Sequence, residues 1–198
     1  MRPQTSNANT ATIILVFGLM WGTFLLNLIL APLGLDLNQW GITPRTFHGL
    51  IGIFISPVLH MNFAHIVGNS TSLLTFLALL IATQPKTWVY IPILWVSSGC
   101  LLWIFGPSNT TIVGASGLIY ACAAFLIVVG FVEKDFLSAI LGIFCSFLYG
   151  ASLISGIVGT GHTTISWQAH ALGAIAGVLV ATALPYIAKI RKQEQPVP

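Results

Sequence analysis

The chain reads as an all-α, polytopic membrane protein: a six-transmembrane-helix bundle with an interfacial first loop. Three observations lead there. Of 198 residues, 56% are hydrophobic and only 6% are charged, whereas an ordinary soluble domain carries about 25% charged residues. The apolar residues come in runs of about 20, the length of helix that crosses a bilayer core. Charged and turn-forming residues fall between those runs rather than inside them.

The first run, 11–32, follows a polar, nearly uncharged start. It is too long for a signal-peptide core and lacks a clear small-residue cleavage site, so it is expected to remain as a span. Residues 33–61 are too many for a tight loop, and they hold Trp40, Arg45, Phe47 and His48 among apolar neighbours. That composition predicts partly helical structure lying at the membrane interface. The runs 62–83 and 87–106 end at Pro85-Lys86 and at Gly106-Pro107-Ser108-Asn109. The run 114–132 stops at Glu133-Lys134-Asp135, and 136–157 stops before Gly159-Thr160-Gly161-His162. A last run, 167–188, precedes a short polar tail, 189–198, read as disordered. Residues 1–188 are therefore expected to form one domain, without internal repeat, soluble domain or low-complexity segment.

A formal net charge of +3 is too small and scattered for nucleic-acid binding, and the basic residues act instead as orientation signals. With a cytoplasmic amino terminus, Arg2, Lys86, Lys134, Lys189, Arg191 and Lys192 all fall inside and only Arg45 falls outside. Six spans then return the carboxyl terminus to the cytoplasm of a cell-membrane protein. Cys100, Cys122 and Cys145 are odd in number and sit in apolar runs, which suits small core residues better than a disulfide framework.

Polar groups within spans are costly and mark functional sites by default. Ser116, framed by Gly114, Ala115 and Gly117, opens one apolar helix, and His170 lies near the start of another. From Ser116 to Glu133, His170 to Lys189 and Asn69 to Lys86 the chain runs about 17 to 19 residues, or heights of about 25 to 29 Å above the inner boundary. His65 lies one turn higher. These side chains would meet in one layer a little below the outer surface, with water arriving from that side. His65 and Asn69 share a helix face, as do Ser116 and Tyr120, which sets Tyr120 to pack beside an incoming imidazole. His170, Gly173, Gly177 and Ala181 form a stripe of small residues that lets the sixth span approach a neighbour closely.

The run Gly41-Ile42-Thr43-Pro44-Arg45, then His60-Met61-Asn62-Phe63-Ala64-His65 with Asn69, then Gly114-Ala115-Ser116-Gly117 with Tyr120, then Ala169-His170 with Gly173 and Gly177, resembles the rhomboid intramembrane serine proteases. The resemblance covers about residues 41 to 181. It implies Ser116 as nucleophile and His170 as its general base, a dyad working through an acyl-enzyme. It also implies an oxyanion hole from His65, Asn69 and the Ser116 N–H, with Tyr120 orienting His170 and His60 bracing the first loop. Bare backbone at Gly114 leaves room for a substrate strand. Family members cut transmembrane proteins near the outer face, beside small side chains and in helices that unwind easily. No metal or organic cofactor is implied, and a monomer suffices. The chain departs from several bacterial members in lacking a Trp-Arg pair in the first loop, where Arg45 precedes Thr46 and the nearest tryptophan is Trp40.

The residues argue the same way on their own. Asp36, Glu133, Asp135 and Glu194 all lie outside the runs or at their ends. Without carboxylates inside the spans, an aspartyl dyad, a His-Glu-x-x-His zinc site and a Ser-His-Asp triad are all excluded. Orientation of His170 then falls to packing or to a neutral partner. Blander readings stay open residue by residue. Ser116 alone would be a helix-packing serine, His65 with Asn69 an interhelical pair, and Tyr120 a core aromatic. His60 reads as structural, and His48 and His162 as interfacial loop residues. Arg45 has two readings, an anchor at lipid headgroups or a family-specific role. At the level of the whole chain, an inactive rhomboid-like protein that binds membrane helices is the first alternative. A transporter or proton path through His65 and His170 is a second, weakened by the missing acidic relay.

Overall fold

The computed structural model describes residues 4–84, 86–134, 136–144, 147 and 167–193. Helix α1 is Gln4–Leu30, α2 Phe47–Ile55, α3 Phe63–Thr83, α4 Thr87–Phe105 and α5 Ser116–Val132. Residues 136–144 form α6, and Trp167–Gln193 forms α7. Short 3-10 turns at Ala31–Leu33, Leu37–Trp40 and Ser56–Val58 complete the connection between α1 and α3. That stretch is thus partly helical, as its composition predicts.

The protein is a helical membrane bundle. Asn7–Leu33, Phe63–Thr83 and Thr87–Phe105 are long and apolar enough to cross a bilayer, and Ser116–Val132 and the Trp167–Ala183 part of α7 are apolar as well. Among the described residues three helices thus meet the length and composition of a span. One boundary differs from the sequence expectation for a local reason: Gly114 takes φ +112°, a backbone state that helix cannot use. The run read as 114–132 consequently starts its helix at Ser116. Of the expected fifth span, 136–144 and 147 are helical, and the remainder lies outside the described residues with Cys145, His162 and the turn at 159–162. Helix α7 passes the expected boundary at 188 and continues to Gln193, so the start of the expected tail is helical. Lysine, arginine and glutamine extend helices well, and cations suit a helix carboxyl end. Residues 194–198 lie outside the described residues.

Met20 and Phe24 of α1, Ile66, Leu73, Phe76 and Leu80 of α3, Ile91 and Leu94 of α4, Leu118, Phe125 and Leu126 of α5, and Val180 of α7 share one buried core. Large apolar side chains also cover the outside, including Ile14, Leu25, Leu74, Phe105, Ile140 and Ile175. A surface that apolar suits hydrocarbon rather than water. A second, smaller cluster of Ile42, Leu102, Ile112 and Ala169 sits where the first loop, α4 and α7 meet.

Candidate active site

The site is built at one end of α3, α5 and α7. Asn62 caps α3 by accepting a hydrogen bond from the His65 N–H (2.9 Å), which fixes where that helix starts. His65 and Asn69 then project from one face, one turn apart. They converge on Gly114. A Cβ placed there would lie 2.6 Å from His65 Nε2 and 3.1 Å from Asn69 Nδ2. Glycine is required at this point twice over, for its positive φ and for the space the two side chains occupy. Asn69 is buried, and its Nδ2 has no hydrogen-bond partner among the described residues. An orphaned buried donor is costly unless it serves an incoming group.

Two residues beyond Gly114, Ser116 opens α5 and is half-buried. Peptide N–H groups at a helix start are free of helical partners and carry partial positive charge. Across from it, α7 lies against α5 through missing side chains. A Cβ on Gly173 would strike the carbonyl of Gly117, one on Gly177 would strike that of Ala121, and Gly117 itself faces the Ala169 carbonyl. The small-residue stripe read from the sequence thus finds its partner in α5. This close approach brings the His170 ring onto Tyr120, with centroids 4.4 Å apart and planes inclined by 30°.

His170 is buried, and its Nδ1 has no hydrogen-bond partner among the described residues. The stack on Tyr120, one turn along α5 from Ser116, sets the ring's position by packing. Among the described residues no hydrogen bond joins Ser116 to His170; such contacts commonly tighten only when substrate is present.

His60 stands edge-on to His65, with ring centroids 5.1 Å apart. Its Nδ1 donates to the Val58 carbonyl (3.3 Å), and the side chain is 2% exposed. Burial first, and the neighbouring His65 second, push its pKa from 6.5 down to about 4, against a raising effect of the Val58 bond. A neutral, wedged imidazole suits a brace for His65. His48 belongs to the first loop, where it packs on Trp40 at 4.6 Å and pairs with the Gln39 carbonyl.

Residues 48–187 match the model of the Rhomboid domain. The chain belongs to the rhomboid family. It is 32% identical to an uncharacterized protein of Mycobacterium tuberculosis strain H37Rv over 197 residues, covering 91% of this chain and 81% of the relative. A protein of Mycobacterium leprae, also uncharacterized, is 36% identical over 157 residues, covering 74% of this chain and 61% of the relative. Rhomboids are generally intramembrane serine proteases, and the motifs quoted from the sequence fall within the match or just before it.

In this rhomboid the first loop is tied to the protein more tightly than sequence reading suggested. Arg45, at φ +59°, directs its guanidinium to the carbonyls of Ile104 (3.0 Å) and Gly106 (2.7 Å) and to the Ser108 hydroxyl. It closes the carboxyl end of α4, a role the sequence did not specify. Trp103 Nε1 donates to the Thr46 carbonyl (2.9 Å), and Trp95 Nε1 reaches the carbonyls of Ile53 and Phe54. Gly49 and Gly52 bring α2 against the backbone of Thr43 and Gly41. The glycine spacing in Gly49-Leu50-Ile51-Gly52 was the available signal. The tryptophan contacts had none, because their acceptors are backbone carbonyls distant in sequence.

Proposed function

We propose that this chain is an intramembrane serine endopeptidase that hydrolyses peptide bonds in or near transmembrane segments of membrane proteins. The observation that carries the reading is the convergence of His65 and Asn69 on Gly114, beside a helix that starts at Ser116, with His170 stacked one turn away on Tyr120. Ser116 Oγ attacks the scissile carbonyl while the imidazole of His170 takes its proton. The oxyanion that forms is met by Asn69, His65 and the amino end of α5, where preorganised donors act with little water competing. His170 returns the proton to the leaving amine, leaving an acyl-enzyme. A water, deprotonated by the same imidazole, then releases the second product.

The bundle sits as a multi-pass protein of the cell membrane with six spans, both termini cytoplasmic and the site opening outward. The positive-inside distribution of Lys and Arg supports that orientation. Substrates are transmembrane proteins whose helices unwind near the outer face.

Ser116→Ala is expected to abolish cleavage of a helical membrane substrate in liposomes, a loss of at least about 10³-fold, while the melting temperature stays within about 2 °C of wild type. A fluorophosphonate should label Ser116 in the wild type and fail to label it in His170→Ala. Cleavage by the alanine variant removes the nucleophile assignment, and equal labelling without the imidazole removes the base. A folded wild type that neither cleaves nor labels is an inactive, helix-binding relative.

A further inference from the structure

Ser56 supplies no group that peptide hydrolysis needs, yet it is 2% exposed and grips the segment that leads to Ser116. Its Oγ donates to the Ile112 carbonyl (2.8 Å), and its own carbonyl accepts from the Gly114 N–H (2.9 Å). Ile112 is held from the other side as well. It exchanges a pair of 2.9 Å bonds with Ile42 in the isolated bridge between the first loop and this segment. Four hydrogen bonds therefore fix residues 112–114, and two of them come from one serine.

The other direction along the chain matters equally. Ser56 begins the turn Ser56–Val58. The Val58 carbonyl accepts from His60 Nδ1 and from the Thr23 hydroxyl. His60 in turn stands against His65. Ser56 is thus the residue at which the nucleophile's leading strand and the chain running toward the oxyanion donors are bolted together.

We propose that Ser56 is a positioning residue for catalysis. Its hydroxyl and carbonyl set the register of 112–114, so that Ser116 Oγ and the His65–Asn69 pair face the same carbonyl of a bound peptide. This rests on the proteolytic reading above and adds to it the element that aligns its two halves. The physical reason for a large effect from a remote group is geometric: misplacing reacting atoms by about 1 Å costs about 10²-fold in rate.

The test compares Ser56→Ala with Ser98→Ala. Ser98 is also buried, but its hydroxyl returns to the Trp95 carbonyl of its own helix (3.0 Å). Cleavage kinetics, the fluorophosphonate labelling rate and melting temperature are measured for each. Ser56→Ala is expected to lower kcat and labelling by about 10- to 100-fold with KM changed by less than about threefold, whereas Ser98→Ala keeps wild-type rates. Ser56→Thr, which retains the donor, should restore most of the rate.

Wild-type rates in Ser56→Ala, or a loss that Ser98→Ala reproduces or that follows melting temperature alone, overturn the proposal. If the alanine variant does not fold, Ser56→Cys takes its place. Its weaker donor should give an intermediate loss at unchanged melting temperature, and unchanged rates overturn the idea. Absence of wild-type labelling overturns the proteolytic reading and this proposal together, whereas a labelled wild type with an unaffected Ser56→Ala overturns the proposal alone.

Discussion

The seam between α5 and α7 and the corner between the first loop and α4 support one site by opposite means. At the seam, side chains are missing: Gly173 and Gly177 place α7 against the carbonyls of Gly117 and Ala121, and no polar bond is needed. At the corner, irregular backbone around Arg45 and Ile112 is satisfied bond by bond, through Arg45, Trp103, Ser56 and Ile42. The difference follows from the backbone. A helix satisfies its own N–H and C=O groups, so helices in hydrocarbon associate by close packing. Non-helical backbone in the same surroundings needs protein partners for every polar group. The seam should therefore fail by crowding and the corner by loss of donors.

The seam gives the largest expected effect. Gly173→Ala is expected to destabilise the protein by about 1 to 3 kcal/mol through overpacking and to lower cleavage about 10²-fold by shifting His170 from Tyr120. Gly22→Ala, where a methyl meets nothing within 4 Å, should stabilise α1 by about 0.5 to 1 kcal/mol. Thermal melting and cleavage assays on the two variants settle the contrast, and similar behaviour would mean the seam is not sterically closed.

Smaller losses belong to the corner. Arg45→Lys keeps the charge but cannot span the carbonyls of Ile104 and Gly106 as a planar fork does. It is expected to cost about 1 to 2 kcal/mol, in pure detergent as well as with anionic lipid. A loss that appears only with anionic lipid would return Arg45 to the headgroup role.

A pH-dependent effect of comparable size belongs to His60. His60 stays neutral in the folded protein because burial and His65 lower its pKa from 6.5 to about 4. As pH falls the unfolded chain takes up this proton first, so stability is full above pH 6.5 and declines between 6.5 and about 4. At pH 5 the loss from this residue is about 1 to 2 kcal/mol. Melting at pH 7.5 and pH 5 should show a smaller drop in His60→Gln than in wild type, and equal drops would remove His60 as a source.

Much of the site could be read from residue spacing. Ser116 with Tyr120, His65 with Asn69, and His170 with Gly173 and Gly177 are each set by the period of a helix, and each pair or stripe shares a face as expected. The element boundaries at Pro85-Lys86 and Glu133-Lys134-Asp135 follow equally local rules. What escaped reading was non-helical and long-range: the role of Arg45, the bonds of Ser56 and the shortened start of α5.

Composition and periodicity alone decided that this chain is a helical membrane protein and which residues stand on each helix face, because burial of apolar surface and the helical repeat are properties of short segments. Only the tertiary structure decided that α5 is the helix the glycine stripe meets, that Gly114 is where His65 and Asn69 converge, and that Ser56 joins both halves. The glycine stripe and the Ser56 hydroxyl meet backbone carbonyls, and every residue has one, so no residue identity marks which carbonyl a distant group will find.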